Sequence, residues 1–363
     1  RIDIRKRISD KFNRLSNCHC LVHIDKITIK KTMLTMIEEK YMRRALQLAR
    51  MGRGSVSPNP MVGAVITAQG RIIGEGYHRK YGGPHAEVNA INSVSGEDRH
   101  LLKESTIYVT LEPCSHYGKT PPCSKLIIDS NIPNVVIGTE DPFKEVSGRG
   151  INMLKEAGIN VITGVLKKEC DELNCHFMTA HRLLRPYILL KWAESADHYI
   201  DRIRDIKEKP TVFSTKITST LVHKLRSEYD AIMVGARTAK LDNPSLTVRD
   251  WSGRNPKRIV VGRKNFTLEG SNLDTNEAKT ITYYNKSLPE ICSELYKSGI
   301  TSLIVEGGSQ LLKAFFKEGL WDEARIEQAP WNLGKGVQSP QCPTGIKQIS
   351  TFNENIIIRV KKQ

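Results

Sequence analysis

The chain has 363 residues, more than one hydrophobic core usually organises, so two domains are expected. It is 39% hydrophobic and 26% charged, with 26 Gly and 16 Pro, a balance that excludes a disordered, collagen-like or coiled-coil chain. No stretch approaches the about 18 uninterrupted apolar residues of a membrane span, and a net charge of +16 admits either phosphorylated metabolites or RNA as partners.

Residues 1–32 hold nine Lys/Arg against three Asp, a net +6 of that total, and show no sustained apolar period. They are expected to form a basic, disordered and dispensable tail, translated from before a natural start near Met33 or Met36. Cys18-His19-Cys20 is spaced too tightly for a usual zinc pair. Eight cysteines with no secretory signal ahead of them read as the reduced thiols of a cytoplasmic protein, which frees a spaced pair for metal.

From Ile37 the apolar residues Tyr41, Ala45, Leu48 and Ala49 recur at helical spacing, and Ser57-Pro58-Asn59-Pro60 ends that helix. Met61 to Thr67 and Ile72 to Tyr77 predict strands, and His85 to Ile91 a helix after a Gly-Gly-Pro turn. Thr106 to Leu111 predicts a buried strand, with Pro113-Cys114 opening the next helical region. Asn134 to Gly138 predicts a strand, Ile151 to Ala157 a helix and Val161 to Thr163 a short strand. Such alternation describes an α/β sandwich with helices on both faces of a sheet. One helix from about Lys167 to Leu184 then meets Arg185-Pro186, which stops it. The division between domains is placed there, giving 33–184 and 185–363.

The second half repeats the alternation. Tyr187 to Trp192, Ala231 to Gly235, Arg258 to Val261, Thr280 to Tyr284 and Ser302 to Val305 read as strands. Leu221 to Glu228, Leu288 to Lys297 and Gln310 to Lys317 read as helices.

The strongest chemical signal is His85-Ala86-Glu87 followed by Pro113-Cys114 and Cys123. A catalytic zinc takes three protein ligands and keeps one position for water. One imidazole and two thiolates supply that set and roughly neutralise the metal. Glu87, two residues from His85 at a helix start, stays near the metal without ligating it and serves as general acid/base. The order is that of the zinc deaminases, H-x-E then P-C with a second Cys. The two cysteines are nine apart rather than three, so residues 115–122 must loop out. The competing reading is a satisfied His85 and two buried free thiols. Cys170 and Cys175 read as ordinary helix residues.

These residues, and above all the run from Pro113 to Cys123, closely resemble the bifunctional deaminase/reductase family of riboflavin biosynthesis. Ser57 to Gly63, Gly76-Tyr77-His78 and Glu140-Asp141-Pro142 match that family's deaminase half as well. The resemblance runs from about Ile37 to near Gly336. It implies a cytidine-deaminase-like domain followed by one related to dihydrofolate reductase. It further implies zinc-dependent deamination of a diaminopyrimidinone carrying a ribosyl phosphate, then NADPH-dependent reduction of the ribosyl group to ribityl. By motif position, Asn59, His78, Lys119 and Asp141 would touch the deaminase substrate.

In the second half, Val305-Glu306-Gly307-Gly308-Ser309 is a strand-Gly-Gly-helix turn, common by itself. No G-x-G-x-x-G is present, so a standard Rossmann site is unsupported. The Asp242–Arg249 stretch resembles the D-x-P-x-L-T-x-R of the family's reductase. The resemblance implies Ala193, Thr238, Asp242, Gly307 and Gly308 at NADPH, and Arg226, Leu246, Arg249 and Glu306 at the sugar phosphate. Arginine forks suit phosphate oxygens. One departure stands out: His198 occupies a position where the family usually has glycine, and Asp201 to Lys209 is unusually charged.

The expected partner is a small phosphorylated pyrimidine, without nucleic acid or membrane, and a homo-oligomer remains open. The alternative is a deaminase of another base, even in RNA, with a C-terminal binding domain lacking reductase activity. Aromatic content of 6% offers it little support.

Overall fold

The computed structural model describes residues 39–117, 121–143, 147–206, 208–262 and 266–362. The expected tail with Cys18 and Cys20, and the expected substrate contact Lys119, lie outside these residues. Two α/β units follow one another. In the first, five strands stand in the order Arg71–Tyr77, Gly63–Ala68, Thr106–Leu111, Asn134–Thr139, Asn160–Thr163. The first two pairings are antiparallel and the last two parallel.

Alternation along these strands decides which helices they meet. Ala64, Ile66, Ile107, Val109, Val135 and Ile137 pack with residues of the helices Ala86–Asn92, Cys123–Asp129 and Arg149–Glu156. Val65, Tyr108 and Val136 pack instead with the helix over residues 39–50 and with Lys167–Leu173. This is the expected three-layered sandwich. Missing side chains set one spacing within it. A Cβ on Gly76 would lie 2.3 Å from the Ala90 nitrogen and 2.5 Å from the Ala86 carbonyl oxygen, so only glycine fits beneath that helix.

Two local expectations are corrected. The helical region expected at Pro113-Cys114 begins only at Cys123, because Pro122, which needs no N–H partner, forms the helix cap. The helix expected over about Lys167 to Leu184 is two, Lys167–Leu173 and Cys175–Leu183. Asn174 breaks it because its side chain grips the Met61 backbone, accepting from N–H at 2.8 Å and donating to the carbonyl at 2.9 Å.

In the second unit eight strands stand in the order Thr280–Tyr284, Lys257–Gly262, Ala231–Gly235, Ser302–Glu306, Tyr187–Glu194, Glu323–Gln328, Asn355–Lys361, Ile346–Phe352. The first six run parallel, and the last two are antiparallel to their neighbours. Ile188, Leu190, Met233, Leu303 and Val305 pack with the helices Leu288–Lys297 and Ser309–Lys317. Leu189, Ile232, Val234 and Ile304 pack with Lys216–Glu228 and Ala236–Asp242. The five expected strands are present. The last three strands and the Ala236–Asp242 helix were not anticipated.

The two units are in contact. The half-buried His176 ring sits 4.7 Å from Tyr187 and 4.6 Å from Tyr229, and desolvation there pulls its pKa down to about 4, which keeps it neutral. Arg185, at the junction, forks onto Asp322 at 2.6 and 2.8 Å. Among the described residues no helix is long and apolar enough to cross a membrane.

Candidate active sites

His85 caps the Ala86–Asn92 helix, Cys114 follows the Thr106–Leu111 strand, and Cys123 opens its own helix. The sandwich brings the three together, with one ligand atom from each lying within 4.8 Å of the others. His85 Nδ1 stands 3.6 Å from Cys114 Sγ and 3.3 Å from Cys123 Sγ. The Cys123 N–H donates to Cys114 Sγ at 3.3 Å. The Cys123 thiol and His85 both stabilise a thiolate at Cys114, holding its pKa well below the usual thiol range, while the same contact pushes Cys123 up. A soft nitrogen-sulfur set at these separations fits zinc with one position left for water.

Glu87 is 3% exposed beside this cluster. Burial, reinforced by the negative Cys114 sulfur, pushes its carboxyl up to about 7, where a group can both take and give a proton at neutral pH. A cavity of about 650 Å³ opens over the cluster, lined among others by Asn59, His78, His85, Glu87, Cys114 and Asp141. His78 is buried, its pKa lowered by that burial, and its Nδ1 faces the Pro84 carbonyl at 3.0 Å. A neutral ring donating there accepts through Nε2, which lies 3.2 Å from the Asn59 side-chain nitrogen. This leaves the Asn59 amide oxygen for a ligand's donor. Burial raises the Asp141 carboxyl, and its Oδ1 accepts from the Phe143 N–H at 2.9 Å.

Sequence reasoning missed Glu112. Its buried carboxylate accepts from the backbone N–H groups of Asp141, Gly148, Gly150 and Ile151 at 3.0–3.3 Å. It thereby ties the strand end before Cys114 to the Asp141 loop and to the start of the Arg149–Glu156 helix. Those partners lie 29 to 39 residues downstream, so no local pattern announces them. His116, Arg149 and His181 also line the cavity.

Of the second set of expected residues, Ala193 and Glu306 lie at or near the carboxyl ends of neighbouring parallel strands, where ligands bind in such sheets. Glu306 ends its strand, and Gly307 and Gly308 follow with φ of 105° and 66°. A Cβ at either glycine would lie about 3 Å from the Thr238 side chain (3.1 and 3.0 Å), so this backbone is open only without side chains and fits a cofactor pressed against it. Ala193 lies near the end of the neighbouring strand. Arg226 forks onto Glu306 at 3.2 and 2.7 Å and donates to the Thr247 carbonyl at 3.3 Å. It therefore arrives already engaged, whereas Arg249 is exposed. Leu246 is 3% exposed with a φ of 53°.

Two residues escaped notice here. Lys191 stands in register between Glu306 on one neighbouring strand and Arg325 on the other, and burial lowers its pKa. Arg325 is 4% exposed, and its Nη1 has no hydrogen-bond partner. The charged segment after Asp201 also has an account: Arg204, with a side chain 1% exposed, pairs with Asp201 and with Asp242. His198 adopts a φ of 64°, the left-handed backbone that glycine takes freely. Its ring points outward, 67% exposed, with Nδ1 2.8 Å from Glu194, so it bears the strain without filling the site.

Two family models match the chain. The cytidine and deoxycytidylate deaminase zinc-binding region covers residues 35–139, and the RibD C-terminal domain covers 186–357. The riboflavin biosynthesis protein RibD of Aquifex aeolicus is 37% identical over 353 residues, spanning 91% of this chain and 96% of that protein. RibD of Bacillus amyloliquefaciens is 38% identical over 336 residues, 85% and 88% of the two chains. Among solved structures, the Thermotoga maritima diaminohydroxyphosphoribosylaminopyrimidine deaminase/5-amino-6-(5-phosphoribosylamino)uracil reductase superposes with a TM-score of 0.80 at 36% identity. It covers 90% of this chain and 99% of its own. Acinetobacter baumannii RibD gives 0.81 at 29% identity over 91% and 100%. A zinc-type deaminase sandwich and a RibD-type reductase sheet, matched in that order over nine tenths of the chain, have one explanation: the chain belongs to the RibD family of bifunctional riboflavin-biosynthesis enzymes, a deaminase and reductase with zinc and NADPH as cofactors.

Proposed function

We propose that the cavity over Glu87 deaminates a diaminopyrimidinone carrying a ribosyl phosphate, and that the second site reduces the ribosyl group of the deaminated product to a ribityl chain. One observation carries the first half: His85, Cys114 and Cys123 converge beside a buried Glu87 under a cavity sized for a nucleotide-like ligand. Zinc held by those three side chains supplies the acidity that makes water a nucleophile at neutral pH. Glu87 takes the proton of the attacking water and returns it to the departing amine. Asn59, with His78 behind it, and Asp141 hold the pyrimidine edge, and Lys119 is kept from the motif as the phosphate contact.

In the second site Ala193, Thr238, Asp242 and the Gly307-Gly308 turn would hold NADPH, which supplies the hydride. Arg226, Leu246, Arg249 and Glu306 would face the sugar phosphate. The Lys191 ammonium, in register with Glu306, would give a proton to the sugar ring oxygen as carbon is reduced. The division at Leu184–Arg185 is supported by the left-handed Leu184 that ends its helix and by a separate sheet on each side. Six free cysteines among the described residues accord with a cytoplasmic setting. The alternative of a base deaminase in RNA with an inert second domain is not favoured, since it leaves the RibD C-terminal match without a purpose.

Cys123→Ser should lose most of its zinc, read by metal analysis of the purified protein; full occupancy would remove Cys123 from the ligand set. Arg249→Ala should leave deamination intact while raising the reductase KM for the phosphorylated substrate by roughly tenfold, as loss of one charged hydrogen-bonding group does. An unchanged KM would free Arg249 of phosphate binding.

A further inference from the structure

Two walls of the cavity over Glu87 are anchored in the other half of the chain. Ser57, two residues before Asn59, donates its hydroxyl to Asp230 at 2.5 Å and lies 3.5 Å from the Thr301 hydroxyl. Asp230 is 8% exposed and firmly held. Its second oxygen accepts from the backbone N–H and hydroxyl of both Thr301 and Ser302 at 2.8–3.1 Å, and Arg254 pairs with the first. Alongside, Arg53 pairs with Glu228 at 3.3 Å. A Cβ on Gly54 would stand 3.1 Å from the Ser227 carbonyl oxygen, so backbone meets backbone across the junction.

The second wall is built the same way. His181, which lines the cavity, has its Nδ1 3.1 Å from the Tyr296 hydroxyl. Its ring meets Phe177 at 4.4 Å and Phe143 at 5.8 Å, both of them cavity residues.

Topology explains why these anchors are available. Asp230 immediately precedes the Ala231–Gly235 strand and Thr301 the Ser302–Glu306 strand, and the two strands are parallel neighbours. Tyr296 lies in the last turn of the helix leading into the latter. All three therefore belong to the amino ends of the sheet, whereas Ala193, Glu306 and the Gly307-Gly308 turn sit at the carboxyl ends.

We propose that the reductase half completes the deaminase pocket, with Asp230 and Tyr296 as positioning residues that act through Ser57 and His181. One sheet then serves two sites from its opposite ends. The proposal rests on the reading of this cavity as the deaminase site. A loop released from Asp230 would no longer hold Asn59 against His78, which weakens substrate binding without touching Glu87 or the metal ligands.

The test uses the full-length, zinc-loaded enzyme with the diaminopyrimidinone phosphate. Ser57→Ala should raise the deaminase KM roughly tenfold, the size expected for a hydrogen bond to a charged group. Tyr296→Phe should raise it a few-fold, at roughly the effect of a neutral hydrogen bond. In both, kcat should hold within about twofold, the pattern of lost ground-state binding. Ser57→Thr, which keeps the hydroxyl, should restore the parent KM. Reduction of already deaminated substrate should be unchanged in all three, reporting that the chain is folded. A parent-like KM in both Ser57→Ala and Tyr296→Phe overturns the proposal. So does an equal fall of both activities, which would make the contacts only structural. Glu87→Gln separates the layers: if it still deaminates, the cavity is not the deaminase site. If it is silent while Ser57→Ala and Tyr296→Phe bind normally, only the positioning role falls.

Discussion

Glu87→Gln is expected to bind zinc, to fold and to lose deamination by about 10⁴-fold or more. A single proton-transfer group contributes about 10²–10⁴-fold, and Glu87 is used twice per turnover, so the upper end applies. Glutamine matches its volume and cannot carry the proton, so the buried site is not emptied. The residues proposed for the second site all lie after Arg185, and the variant should oxidise NADPH with deaminated substrate at the parent rate. The readouts are ammonia release and NADPH absorbance on the same preparation. If a folded Glu87→Gln protein fails at both reactions on their own substrates, the two sites are not independent. If the parent consumes no NADPH with deaminated substrate, the reductase reading fails, and the strained His198 turn is the first place to look.

Arg226→Ala has the largest expected effect on stability. Its pair with Glu306 is nearly buried, the side chains being 12% and 11% exposed. Removing one member of such a pair strands a charge and costs roughly 3–5 kcal/mol, measurable by urea unfolding, and reduction should be lost with it. The double variant Arg226→Met with Glu306→Leu should recover much of the stability and none of the reduction, because apolar replacements leave no charge uncompensated. Parent-like stability in Arg226→Ala would mean the pair contributes nothing.

The same pair sets a pH dependence. Burial alone would raise Glu306, but the Arg226 and Lys191 cations override it and hold its carboxyl at about 2, against an ordinary value of 4.5. A depressed folded pKa means the contribution is full above about pH 4.5 and disappears as pH falls toward 2. Arg226→Ala should flatten that part of the stability curve.

The deaminase half was readable because its chemistry is local. His85 and Glu87 share one turn of helix, and Cys114 and Cys123 bracket one loop, so the motif survives as a string. The strands there have two apolar faces, and their runs are plain. The second half hid its last strands because Glu323, Arg325 and Glu327 alternate along one buried strand, a pattern that mimics exposure. Glu327 finds its partners far away in sequence, accepting from Asn355 at 2.7 Å and from Ser214 at 2.9 Å. Ile346 and Ile349 mislead in the opposite sense, being 63% and 64% exposed on an edge strand. Glu112, Lys191 and the Ser57–Asp230 contact were illegible for one reason: each acquires its meaning from residues that only the folded chain brings near.

Gly76 gives the deaminase centre a dimension that no ligand residue encodes. The helix behind it begins with Ala86 and carries Glu87, with His85 as its cap, and it rests directly on the backbone of the strand. Cys114 and Cys123 reach the centre from other elements, so the gap between imidazole and sulfurs depends on how deep that helix is seated. Metal-ligand bonds tolerate only about 0.2 Å, far less than the shift any added carbon at position 76 would force. The hydrogen atom of Gly76 thus works as a gauge block: inert, away from the reaction, and setting the clearance to which the catalytic parts are assembled. Catalytic tolerance in this enzyme is written partly in atoms that are not there.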